Sequence, residues 1–247
     1  MRDEWFWSHY EWAASEVHEF LGSAGVLLQG LSVADIGCGD GIIDLGISHL
    51  AECGEFVGYD LNPTNTNYLR EFADAQGVTA PVPPFLRFEQ STATEIPADD
   101  NHFDLVVSWS AFEHISDILG VLKEIRRVLK PEGVFFCQVW PLYGSQHGSH
   151  LERWYPDGFI QLLEEPAAIR AGMDESLADK NEIERMWSEY LTLNRITLDD
   201  FGTALTDAGF DVLKLEILSH TVLLPTPLSR NHKLSSLGIA GFKLLAR

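Results

Sequence analysis

Basic residues are scarce in this chain. Lys and Arg number 17 against 37 Asp and Glu, a formal net charge of −20 over 247 residues. A field of that sign repels phosphate backbones and anionic lipid headgroups, which excludes nucleic acid and membrane surfaces as general partners. Cysteine is scarce too. Cys38, Cys53 and Cys137 are an odd set without metal-type spacing, so they read as small buried hydrophobes in a reducing compartment. No apolar run reaches the roughly 18–20 residues that span a bilayer. The opening residues, Met-Arg-Asp-Glu-Trp-Phe-Trp, lack the basic-then-apolar order of a signal peptide. Internal repeats and low-complexity tracts are absent, and the expectation is a soluble, cytoplasmic protein.

Apolar material is plentiful. The 45% hydrophobic content, with 14 Phe, 7 Trp and 6 Tyr, excludes a disordered acidic chain and supports a sizeable core. The length is about 1.6 times the usual domain, which predicts a single domain over residues 1–247 with additions.

From Ser32 onward, short apolar runs alternate with helical patterns. Candidate strands are 33–36, 55–60, 85–89, 103–109 and 133–140, each rich in Val, Ile or Phe and bounded by Gly, Asp or Pro. In 117–129, Ile118, Val121, Leu122, Ile125 and Val128 recur at helical spacing. That helix is expected to stop at a turn, Lys130-Pro131-Glu132-Gly133. The alternation predicts an α/β fold, a parallel sheet covered by helices on both faces. Near the end, Thr197 caps a helix to about Ala208. Two extended runs follow, 210–218 and 239–246, joined by a loop containing Pro225 and Pro227 with no helix expected between them, so they predict an antiparallel hairpin at a sheet edge. Residues 141–194 break the rhythm and read as a helical insertion. Within it, nine acids and three basic residues between Asp157 and Glu189 predict a solvated face. Residues 1–31, with Trp5, Phe6, Trp7, Tyr10 and Trp12, read as an aromatic N-terminal helical cap.

The segment Val33-Ala-Asp35-Ile-Gly37-Cys38-Gly39-Asp-Gly41 carries a strand through a glycine turn into a helix. Glycines there let a ligand approach the backbone, and the helix start offers free N–H groups. A dinucleotide fingerprint requires glycine where Ile42 stands, and Asp35 would sit badly beside a pyrophosphate. An acid suits a ligand bearing an ammonium group. Asp60 closes the next strand about 20 residues on, where a carboxylate can accept both hydroxyls of a ribose.

Together, Asp35–Gly41, Asp60, Glu95-Ile96-Pro97, Phe103–Ser108, Glu113-His114 and Leu129–Gly133 resemble the class I S-adenosylmethionine-dependent methyltransferases. The resemblance covers roughly 32–138 plus the terminal strands. It implies seven strands in the order 3-2-1-4-5-7-6, the seventh antiparallel, with S-adenosylmethionine as cofactor. By matching position, Asp35, Gly37, Cys38, Gly39 and Gly41 would wrap the methionine and ribose portions, and Asp60 would hold the ribose hydroxyls. Leu61 would flank the adenine. Thr92, with Ala93 beside it, stands where relatives usually carry an acid for the adenine amino group. Ser108 and Trp109 would close the pocket at the end of the fourth strand.

On the acceptor side, His147 and His150 lie in a Gly/Ser loop after the fifth strand, and His114 follows the fourth. All three are candidate bases. The Glu113-His114 pair is widespread in relatives with many substrates, which favours a structural hydrogen bond for His114. Trp140, Tyr143, Trp154 and Tyr155 offer either an acceptor platform or packing for the insertion. His147 and His150 have no close carboxylate except Glu152, so no metal is expected. The reading is a methyltransferase acting on a small molecule, at a saccharide or secondary-metabolite hydroxyl, with insertion 141–194 as lid or homodimer contact. The alternatives are N- or C-methylation and a non-catalytic cofactor-binding regulator.

Overall fold

The computed structural model describes residues 2–62 and 64–247; Met1 of the expected cap lies outside them. The chain opens with α1 (Glu4–Trp7), a π-helical turn (Ser8–Ala13) and α2 (Ala14–Ser23). The first half of the sheet follows as β1 (Ser32–Ile36), α3 (Ile42–Leu50), β2 (Glu55–Asp60), α4 (Thr66–Ala75) and β3 (Leu86–Gln90). The second half runs β4 (Phe103–Trp109), a 3-10 turn (Phe112–His114), α5 (Ile118–Val128) and β5 (Leu129–Val139). Next come α6 (Ile160–Leu163), α7 (Pro166–Asp174), α8 (Lys180–Thr192) and α9 (Leu198–Asp207). The chain closes with β6 (Val212–Ser219), α10 (Leu228–Asn231), α11 (Leu234–Gly238) and β7 (Ile239–Ala246), so two short helices stand between the terminal strands where none was expected, held by Leu228 and Leu237 buried against Phe159. The strand order is 3-2-1-4-5-7-6, with β7 antiparallel to both β5 and β6, as expected.

Burial on both faces explains the unbroken apolar strands. Along β4, Leu105 and Val107 point to one layer and Val106 to the other. The first layer packs Val33, Phe56 and Phe136 under Val17, Phe20, Leu21 and Leu45. The second packs Ala34, Val57, Phe135 and Phe242 under Leu122, Ile125, Phe201 and Leu205. The N-terminal helices cross α3 at Gly46, where an added Cβ would collide with the Tyr10 carbonyl, so only glycine permits that approach. All three cysteines are buried and free. No described helix is long and apolar enough to cross a membrane.

The expected turn at 130–133 is instead assigned within β5. Its pairing with β4 slips from Phe103↔Leu129 to Leu105↔Val134, so Lys130–Gly133 bulge out of the ladder. Lys130 Nζ bonds Asp104 Oδ1 at 2.8 Å, tying the bulge to β4.

Residues 141–194 hold α6, α7 and α8 around their own apolar cluster of Leu151, Ile169, Met173, Ile183 and Tyr190. Arg170 bridges Asp174 and Glu184, and Arg153 pairs with Glu182, so part of the acidic face is neutralised locally.

Phe201 connects the core to the β4 exit: its ring centroid lies 5.2 Å from that of Phe112 and 5.1 Å from that of Phe242. Phe201→Ala is expected to cost about 3–5 kcal/mol, measured by urea unfolding, because it empties a fully buried aromatic site.

Candidate active site

The carboxyl ends of β1 to β4 open onto one cleft of about 420 Å³, a size typical of small-molecule sites. Gly37 and Gly39 line it after β1, Asp60 and Leu61 after β2, and Thr92 and Ala93 after β3. Ser110, Ala111, His114 and Ile115 close it after β4. Gly39 has φ +55 and open space where a Cβ would stand. The Asp60 carboxylate accepts from Gly39 N at 3.1 Å and from Asn62 N at 3.0 Å. Each oxygen keeps a further lone pair, so Asp60 is a fixed anionic acceptor at the cleft wall.

Five of the expected cofactor residues do not line this cleft. Ser108 is fully buried and donates its hydroxyl to the Ile36 carbonyl at 2.7 Å, which joins β4 to β1. Trp109 meets Trp12 edge to face across 5.8 Å. Gly41, at φ +76, caps α3. Cys38 is buried behind the loop, where burial and the nearby Asp44 and Asp35 charges push its thiol pKa up.

Asp35 also lies beneath the loop, 3% exposed, beside the fully buried Asp44 of α3. Burial raises Asp35 to about 6, and burial together with the Asp35 charge raises Asp44 well above the usual carboxylate range. Two such groups cannot both ionise cheaply, so the pair retains a proton into the neutral range.

A second cluster stands at the end of the cleft. Glu113, His114 and His150 each bring one ligand atom within 4.8 Å of the others. His114 and His150 meet at right angles, ring centroids 5.3 Å apart. The hydroxyl of Thr192 donates to the Glu189 carbonyl at 2.7 Å, so it accepts from His114 Nδ1 at 2.7 Å. That fixes the His114 proton on Nδ1 and leaves a lone pair on Nε2. His150 Nδ1 faces the Glu189 carboxylate at 3.3 Å, and its Nε2 is buried without a hydrogen-bond partner among the described residues.

Glu113 is 2% exposed, and neither carboxylate oxygen has a hydrogen-bond partner among the described residues. Burial, with a smaller push from Glu189, raises it to about 8. Burial and then His150 lower His114 below the usual imidazole range. The His150 hydrogen bond outweighs burial and lowers Glu189. Asn194 secures the turn: its backbone N–H donates to the Glu113 carbonyl, and its side-chain amide to those of Phe112 and Ile115. His150 and Ser110 hold φ of +57 and +47, conformations that cost a non-glycine residue about 1–2 kcal/mol.

The other acceptor-side residues scatter. His147 is outside the cluster, with Nδ1 buried and unpaired among the described residues. Trp154 Nε1 donates to Ser176 Oγ at 3.0 Å and Tyr155 Oη to the Ile169 carbonyl at 2.6 Å, so both pack the insertion. Tyr143 lies under Arg195, with the guanidinium 5.2 Å from its ring centroid, in a different pocket of about 600 Å³. Trp140 is 44% exposed and lines neither. Glu189, expected on the solvated acidic face, instead turns toward His150, and Thr192 carried no expectation, although three-residue spacing on a helix places the two on one face.

Residues 34–137 match the methyltransferase domain family. A ubiquinone biosynthesis O-methyltransferase of Cereibacter sphaeroides is 33% identical over 115 residues, 47% of this chain and 43% of that protein. The match thus covers less than half of that relative. A SAM-dependent methyltransferase from Aquifex aeolicus has the same fold, with TM-score 0.54 and 17% identity over 99% of this chain and 93% of that one. A geranyl diphosphate methyltransferase in complex with SAM aligns with TM-score 0.58 and 13% identity over 94% and 84%.

The buried acid pair sets a pH dependence. A raised folded pKa gives stability that is full below the unfolded value near 4 and is lost as pH rises through the folded values. Asp44→Asn is therefore expected to match the unsubstituted protein at pH 4. At pH 8 it should melt at least about 2–4 °C higher, the shift 1 kcal/mol gives a chain of this size. Thermal melts across that range check it.

Proposed function

We propose, from the premise that residues 34–137 form a class I S-adenosylmethionine-dependent methyltransferase domain, that this chain methylates a hydroxyl of a small molecule, a saccharide or secondary metabolite. The observation that carries the reading is His114 on the wall of the Gly39–Asp60 cleft, its Nε2 lone pair fixed by Thr192. Bound S-adenosylmethionine supplies an activated methyl on a sulfonium, so the protein's main task is orientation.

The cleft's donor and acceptor set suits that cofactor. Asp60 has lone pairs for a ribose diol, Gly37 and Gly39 allow close approach to backbone, and Leu61, Thr92 and Ala93 flank the place for a flat base. An alcohol is a poor nucleophile and needs its proton removed. Burial keeps His114 neutral at pH 7, so Nε2 can accept that proton. The charge of −20 disfavours polyanionic acceptors and leaves neutral or cationic ones open. Residues 2–31 act as the cofactor-side cap: Trp5 Nε1 donates to Asp40 Oδ2 of the glycine loop at 2.8 Å. Residues 141–194 form the acceptor side, since α8 supplies the partners of both histidines.

Titration calorimetry with S-adenosylmethionine and with NAD, followed by a labelled-methyl screen of alcohols and amines, tests the reading. Affinity for S-adenosylmethionine alone and transfer to an alcohol are expected; no cofactor affinity overturns it. Asp60→Ala should weaken cofactor binding by about 1–3 kcal/mol. His114→Ala should lower turnover by about 10²–10⁴-fold while changing cofactor affinity far less.

A further inference from the structure

Glu113, His114 and His150 bring three side chains with metal-ligating atoms into one cluster. His114 spends its N–H on Thr192, and His150 turns Nδ1 to the Glu189 carboxylate, which accepts and cannot donate. Both imidazoles thus present Nε2 lone pairs, and Glu113 adds two oxygens with no donor among the described residues. One ligand atom from each side chain already lies within 4.8 Å of the others. Ligands held about 2.1 Å from a tetrahedral ion stand about 3.4 Å apart, so closure needs side-chain movements on the order of 1 Å.

We propose that Glu113, His114 and His150 bind a divalent transition ion of the zinc, iron or cobalt type at the end of the cofactor cleft. Two imidazoles and one carboxylate form a recurring ligand set for such ions and leave positions open for an added molecule. Nitrogen ligands disfavour magnesium and calcium, which take oxygen. The outer contacts follow the same logic. A metal-ligating histidine commonly donates its other N–H to a carboxylate, carbonyl or hydroxyl, and α8 provides Glu189 for His150 and Thr192 for His114.

The expectation of no metal rested on the want of a carboxylate near His147 and His150 in sequence. Folding supplies Glu113 from 37 positions before His150, and the exposed Glu152 plays no part. The inference deepens the methyl-transfer reading and rests on it in one respect. With an ion bound, His114 Nε2 would be a ligand and no longer a free base, and the ion, adjoining the cleft, would take over that task by acidifying an acceptor hydroxyl that reached it.

The test is calorimetric titration of the metal-stripped full-length chain with Zn²⁺, Co²⁺ and Mg²⁺, with visible spectra in the Co²⁺ arm. Stoichiometric binding of Zn²⁺ and Co²⁺, cobalt d–d bands and a melting temperature raised by Zn²⁺ are expected, with no response to Mg²⁺. His150→Ala and Glu113→Gln should each weaken Zn²⁺ binding about 100-fold or more, and Glu189→Gln about 10–100-fold. His147→Ala should bind as the unsubstituted protein does. Circular dichroism identifies any variant that fails to fold, in which case Glu189→Gln and the cobalt bands decide. Absence of Zn²⁺ binding, or Zn²⁺ affinity in folded His150→Ala and Glu113→Gln equal to that of the unsubstituted protein, overturns the metal site. Either result leaves cofactor binding and methyl transfer, measured separately, untouched.

Discussion

Parallel pairing of β1 with β2 on one side and β4 on the other is the constraint on which the site depends. Parallel strands need crossovers, so each chain segment leaves the sheet at the same end and its loop collects there. Register does the rest. Ile36 opposite Tyr59 sets the glycine loop beside Asp60, and the Tyr59 carbonyl accepts from both Gly37 N and Cys38 N. On the other flank, Ser108 ties the Ile36 carbonyl to β4. The loop that could cradle a ligand is thus clamped from two strands before any ligand arrives.

That geometry explains what was legible in the sequence. Strands buried on both faces show as short Val/Ile/Phe runs, and α5 shows as a clean 3–4 residue period, so the strands and their mainly parallel sheet could be read, while the strand order came from the family resemblance. Glycines at positive φ and an acid closing a strand are local signals, so half of the cleft was visible too. Ser108 and Trp109 misled for a physical reason: position at a strand end does not reveal which way a side chain faces. Ser108 is used up inside the sheet, and the cleft is lined instead by Ser110 and Ala111 just beyond it. The bulge at 130–133 was hidden because Pro and Gly signal a turn equally well within a strand and at its end.

The histidine cluster was illegible because its parts are distant in sequence. His114 and Glu113 belong to the β4 exit, His150 to the loop after β5, and Glu189 and Thr192 to α8. The insertion has an apolar cluster of its own around Leu151 and Met173, which keeps α8 in a defined place. Its docking then sets which nitrogen of each imidazole carries the proton. Trp154 and Tyr155, attractive as an acceptor platform, are instead part of what holds that helix. These aromatic residues pack the insertion that carries α8, one step removed from the cleft.

The acidic balance takes a different meaning beside this cluster. A charge of −20 spread over the surface is screened within about 8 Å at physiological salt, so it sets which partners approach and little of what happens inside. At the cluster the dielectric is lower, and Glu189 acts at close range on two imidazoles. A buried carboxylate without a donor is costly unless it takes a proton or a cation. The surface field disfavours polyanions at the entrance, while the interior concentrates unpaired acceptors in one place. Both effects favour a neutral or positively charged occupant, and only the second selects a particular site for it.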